Sequence, residues 1–238
     1  MKILKPKQII VALDFDSIEE VNSIVKLLDP ETYRLKIGKQ LFAAEGPKII
    51  ENFNKKGFEI LDMGGDAVYC SHSIDWIEGM AKEGIPVTAH VGLVPNRATW
   101  TNFRAVGKTA EEAIKVYQNV KDLENAGAAF VEVEVVPVEL ADFITKNTKM
   151  ITMGMGCGDV CDTQYLFCND ILGINSGHYP RHAKKYVDIK KEEEKLQQLR
   201  EKGFKMFLED IKSGNYPEDK HLIKMDLSEF EKFQSKIK

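Results

Sequence analysis

The chain is expected to fold as an α/β protein of the (β/α)8 TIM-barrel type. Three observations predict this. Short apolar runs bounded by Gly, Asp or Pro recur along the sequence, and most are followed by a stretch of helical periodicity. There are eight such runs, and this strand-helix alternation is the pattern of a parallel sheet. The length of 238 residues, 43% of them hydrophobic, suits one barrel domain spanning residues 1–238.

In chain order the strand candidates are residues 9–15 (IIVALDF), 34–38 (RLKIG), 58–62 (FEILD), 66–71 (DAVYCS), 86–92 (PVTAHVG), 130–136 (FVEVEVV), 150–156 (MITMGMG) and 164–170 (QYLFCND). Helices are expected over residues 17–28, 39–56, 73–83 and 109–126, the last opened by a Thr109-x-x-Glu112 capping box. A long charged helix over 189–211 and a shorter one over 227–237 follow. One place breaks the alternation. FEILD and DAVYCS are separated only by Met63, Gly64 and Gly65, whereas parallel neighbours need a crossover of roughly a dozen residues. Either one run is not a barrel strand, or the two form one bent strand and the barrel is a unit short or irregular at 62–66. Loops 93–108 and 172–188 are expected over the mouth at the C-terminal strand ends, where a barrel carries its active site.

The net charge of -4 gives no broad basic surface, so nucleic acid and anionic membrane are not expected partners. No stretch approaches the ~20 apolar residues of a membrane span, and the start lacks a signal-peptide layout, so a cytoplasmic protein is expected. Cys70, Cys157, Cys161 and Cys168 are read as reduced thiols.

Residues 7–62 resemble the beginning of orotidine 5'-phosphate decarboxylase, through IIVALDFDS, DPETYRLKIGKQLFAAEGP and KKGFEILD. The resemblance implies that Asp14 and Lys36 line a substrate site. It also implies a catalytic lysine where this chain has Gly64, in Asp62-Met63-Gly64-Gly65-Asp66. Glycine can neither stabilise nor protonate a carbanion, so decarboxylation stands as the alternative reading.

Residues 65–225 are similar to ketopantoate hydroxymethyltransferase, of the phosphoenolpyruvate mutase and isocitrate lyase superfamily. The carrying stretches are EGIPVTAHVGLVP, ELADF, MITMGMGCGDVCDTQYLFCNDILG and SGNYPEDKH. This resemblance implies one-carbon transfer from methylene-tetrahydrofolate to an α-keto acid, 3-methyl-2-oxobutanoate, with Mg²⁺ as cofactor and a homo-oligomeric assembly. It makes Glu134 the base and His90 a substrate contact. Asp62 is the metal ligand it leaves in place, while the position of the family's K-L-E-G-G segment holds Tyr69-Cys70-Ser71-His72-Ser73 without a carboxylate. Activity is therefore expected to be impaired, and a non-catalytic hybrid barrel is the third reading.

Glu132 and Glu134 are expected on opposite faces of their strand, so that only one enters the barrel interior. Val133 and Val135 are expected to raise the pKa of Glu134. Asp162, Gln164 and Asp170 are read as loop braces or helix caps, and Arg97, Arg104, Lys108, Arg181 and His182 as mouth residues that meet an anion or solvent.

Overall fold

All eight apolar runs form strands: β1 (Ile9–Leu13), β2 (Tyr33–Ile37), β3 (Ile60–Leu61), β4 (Val68–Tyr69), β5 (Val87–Gly92), β6 (Phe130–Glu134), β7 (Ile151–Met155) and β8 (Thr163–Phe167). In this computed structural model, which describes residues 9–61, 66–71, 73–95, 103–175, 177 and 179–237, they pair in the order β3-β2-β1-β8-β7-β6-β5-β4. Every pairing is parallel. A parallel bridge between Leu61 and Ala67 joins the two ends, so the barrel is nearly closed.

On either side of residues 62–65 the strands are short. β3 and β4 have two residues each, a rise of only about 7 Å. The seam is held by Asp66, whose N–H donates to the Ile60 carbonyl (2.9 Å) and whose carboxylate accepts the Ile60 N–H (3.1 Å). The connection between β7 and β8, residues 156–162, contains no helix.

Between the strands lie α1 (Ile18–Val25), α2 (Lys39–Glu45), α3 (Lys48–Lys55), α4 (Ile74–Lys82), α5 (Ala110–Asn125), α6 (Val138–Asn147) and α7 (Cys168–Leu172). The single helix expected over 39–56 is two, because Gly46 takes φ 67 and Pro47 begins a new helix. Helix α3 buries Ile49, Ile50 and Phe53, and α5 buries Val116, Val120 and Leu123, each at helical spacing. These faces pack against the outer side of the sheet. The barrel interior is filled by Ile10, Ala12, Leu61, Ala67, Phe130, Met153, Met155 and Tyr165.

The chain divides into two units, Met1–Val187 and Asp188–Lys238. The second contains α8 (Ile189–Ser213), a 3-10 turn at Asp219–His221 and α9 (Leu227–Ile237), close to the helices expected there. Neither of its α-helices buries a residue, and Leu199, Phe204, Phe207 and Phe233 are exposed.

Half of the capping box at α5 forms. Thr109 Oγ1 accepts the Glu112 N–H (3.2 Å). The Glu112 carboxylate turns instead to the N–H groups of Gly107 and Lys108 and to Arg104, which together hold its pKa below the usual 4.5. Thr109→Ala should lower stability by about 1 kcal/mol in urea unfolding at neutral pH. The folded-state pKa of Glu112 is depressed, so its contribution is present above the unfolded-state pKa and disappears as pH falls through the folded value. Wild type and Glu112→Gln should therefore differ in melting temperature at pH 7, with the gap shrinking as the pH is lowered below 4.5; an undiminished gap in acid would contradict this account.

Candidate active site

Polar side chains converge at the C-terminal end of the barrel from β2, β4, β5 and β6. The parallel register sets His90 of β5 opposite Glu132 and Gly92 opposite Glu134. Side chains two residues apart in a strand share a face. Glu132 and Glu134 therefore both enter the barrel, which corrects the expectation that only one would do so. The glutamate and histidine side chains are each between 3% and 8% exposed.

The backbone is shaped to allow this. Gly92 has φ 90, and a Cβ there would lie 2.1 Å from the Glu134 carbonyl oxygen. Only glycine permits that approach, and it lets Leu93 N–H donate to the same carbonyl (2.9 Å). Directly after Glu134, Val135 takes φ 50, a conformation rare for a β-branched residue. It is held by its own N–H donating to Met155 O (2.8 Å) and by its carbonyl accepting from Val106 (3.2 Å). The strain ends β6 at Glu134 and leaves that carboxylate at the rim.

A chain of contacts crosses the interior. Tyr69 Oη donates to Glu132 Oε2 (2.7 Å). That donation uses the phenol's one proton, so the contact between Tyr69 Oη and His90 Nδ1 (2.5 Å) has the imidazole N–H donating. On the other side of the ring, Nε2 lies 2.9 Å from Glu134 Oε2 and 4.0 Å from Glu132 Oε1. Nε2 nevertheless forms no hydrogen bond of proper geometry.

Charge and burial act together here. Burial raises the Glu134 pKa above its ordinary value, and the Glu132 charge adds to this against the opposing effect of His90. Burial pulls the His90 pKa down, but the two carboxylates outweigh it and the net shift is upward. Burial and Glu132 keep the Tyr69 phenol protonated, with its pKa well above 10.0.

Lys36 joins this group. Its Nζ lies 5.4 Å from the centre of the Tyr69 ring, 5.9 Å from Phe167 and 6.0 Å from Tyr165. The Asp14 side chain lies against Gly38, where a Cβ would come within 2.2 Å of Oδ1. Asp62 and Arg97 lie outside the described residues. Asp162 braces the β7–β8 connection by accepting from Thr152 N (2.8 Å) and Oγ1 (2.9 Å), as expected. Asp170 is buried and accepts from Asn175 Nδ2 (2.5 Å). With Glu134, Lys108, Arg181 and His182 it lines a cavity of about 1010 Å³. Arg104 pairs with Glu112 (2.6 Å).

The residues not foreseen are Tyr69 and the inward Glu132. Both were visible in the period of two along their strands. His90, Glu132 and Glu134 can place one nitrogen and two oxygens within 4.8 Å of one another, a spacing that admits a shared cation.

The model of the ketopantoate hydroxymethyltransferase family matches residues 52–219, and that of the orotidine 5'-phosphate decarboxylase / HUMPS family matches residues 7–63. The 3-methyl-2-oxobutanoate hydroxymethyltransferase of Clostridium novyi is 35% identical over 160 residues, which are 67% of this chain and 56% of that protein. Its counterpart in Enterococcus faecalis is 36% identical over 159 residues, covering 66% and 55%. The chain thus spans little more than half the length of these relatives. A solved structure, an uncharacterized conserved protein from Geobacillus kaustophilus, shares the fold with a TM-score of 0.51 and 17% identity over 68% of this chain and 91% of that one. With residues 52–219 matched, including β4 to β8 and the paired glutamates, the chain belongs to the ketopantoate hydroxymethyltransferase family.

Proposed function

We propose that this barrel carries out hydroxymethyl transfer from methylene-tetrahydrofolate to an α-keto acid, 3-methyl-2-oxobutanoate, in the cytoplasm. The observation that carries this reading is the Glu134–His90 contact of 2.9 Å at the mouth of a family-matched barrel.

The chemistry needs a proton removed from the carbon beside a carbonyl, and the resulting enolate held until it attacks the one-carbon unit. Glu134 is the base: it stands at the last position of β6, lines the mouth cavity and has its proton affinity raised by burial. His90 contacts the substrate from beside Glu134, its Nε2 lying 2.9 Å from Glu134 Oε2. Lys36, within the ring of Tyr69, Tyr165 and Phe167, offers a positive charge for the substrate carboxylate, and Asp14 flanks the same side. A divalent ion, when bound, supplies positive charge for the enolate oxygen. With Mg²⁺ we expect weak turnover, because Tyr69-Cys70-Ser71-His72-Ser73 brings no carboxylate to the fourth strand and Mg²⁺ favours all-oxygen octahedral sites.

The decarboxylase reading has Lys36 inside the barrel in its favour, but Gly64 stands where its proton donor belongs. Among the described residues no helix is long and apolar enough to cross a membrane. We further infer homo-oligomers, from the apolar side chains that α8 and α9 leave unburied within their own unit.

Two measurements test this reading. In D2O with a divalent ion, the C3 proton of 3-methyl-2-oxobutanoate should exchange in the presence of the protein, and Glu134→Gln should slow exchange about 100-fold or more. Absence of exchange with Mg²⁺, Mn²⁺ and Co²⁺ alike sinks the transferase reading. Light scattering on the full chain should give a mass that is a multiple of 26.9 kDa; a monomer at micromolar concentration rejects the assembly.

A further inference from the structure

Three electron-pair donors face one another inside the barrel. Tyr69 holds the His90 proton on Nδ1, so Nε2 presents its lone pair toward Glu134 Oε2 at 2.9 Å and Glu132 Oε1 at 4.0 Å. Such a group, enclosed and mutually repulsive, is stabilised by a positive charge among its members. A proton on Nε2 is one solution, but a shared proton lines up on the axis between its two atoms. Nε2, 2.9 Å from Glu134 Oε2, is not aligned with it for a hydrogen bond, although the His90 side chain is only 3% exposed.

We propose that His90 Nε2, Glu132 Oε1 and Glu134 Oε2 form a binding site for a divalent transition ion of the Mn²⁺, Co²⁺ or Zn²⁺ class. Ligands about 2.1 Å from such an ion stand about 3.0–3.4 Å from each other. The ligand atoms here already lie within 4.8 Å, so a small turn of the Glu132 side chain completes the set. An imidazole beside two carboxylates selects ions that accept nitrogen, whereas Mg²⁺ and Ca²⁺ prefer oxygen alone. Tyr69 supplies the outer support such a site needs. It accepts from His90 Nδ1, which fixes the tautomer, and donates to Glu132 Oε2, which leaves Oε1 for the ion.

The site differs from the one that Asp62 would anchor at the end of β3. It draws on β5 and β6 with support from β4, all within the family-matched part of the chain. An ion held there would supply positive charge to an α-keto acid at the mouth. That last step rests on the transferase reading; the ion site does not. With Oε2 given to the ion, Oε1 of Glu134 would remain for the substrate proton.

The test uses the full chain, stripped with a chelator and titrated with Mn²⁺, with free ion followed by electron paramagnetic resonance. One ion should bind per chain, and a tenfold excess of Mg²⁺ should leave it bound. Glu132→Gln should weaken binding at least tenfold, and Tyr69→Phe, which keeps the ring and removes only the outer support, by about 10-fold. If Glu132→Gln does not melt like wild type without metal, Tyr69→Phe decides. Failure to bind Mn²⁺, Co²⁺ or Zn²⁺ overturns the proposal. So does displacement by Mg²⁺, or loss of binding in Asp62→Asn together with full binding in Glu132→Gln. A protein that binds Mn²⁺ at this site but exchanges no keto-acid proton retains the ion site and loses the transferase reading.

Discussion

Two carboxylates and an imidazole in an apolar barrel pose a charge problem that the surrounding structure is arranged to contain. Each unpaired charge moved out of water costs on the order of several kcal/mol. That cost is offset only when the groups serve one another. Glu132 is satisfied by the Tyr69 hydroxyl, His90 Nδ1 by the same oxygen, and Glu134 lines the mouth cavity with its carboxylate beside His90 Nε2. Lys36 adds a cation from the opposite side of the barrel, its Nζ over the faces of Tyr69, Tyr165 and Phe167.

The β5–β6 register makes this arrangement possible. A shift of one residue would send both glutamates into the outer layer, among Val116, Val120 and Ile144. Register is secured at the top of the pair by Gly92, which admits the Glu134 carbonyl, and by the left-handed turn at Val135. Below, Phe130 packs in the barrel interior with Met153 and Tyr165, while Val131 and Val133 pack under the helices. The site is thus positioned by backbone features as much as by its own side chains.

Much of this was legible beforehand. The eight strands followed from apolar runs punctuated by Gly, Asp and Pro, and His90 and Glu134 followed from family-like motifs. What the sequence reading missed is of two kinds, one concealed and one open to view. Tertiary proximity was one: nothing local in DAVYCS says that Tyr69 will meet His90, because the contact depends on β4 and β5 lying side by side. The other was the face of Glu132, which simple alternation places beside Glu134. The Gly46-Pro47 break in the helix expected over 39–56 was present as a turn signal and was outweighed by the apolar periodicity on either side.

The seam at β3 and β4 has a wider consequence. Elsewhere around the barrel, neighbouring strands must agree over as many as five pairs, and a foreign segment would have to satisfy all of them. At Leu61 and Ala67 agreement is needed over one. A junction so weakly constrained is where lineages can exchange pieces of a barrel without unravelling it, and the decarboxylase-like match ends within a few residues of it, at residue 63.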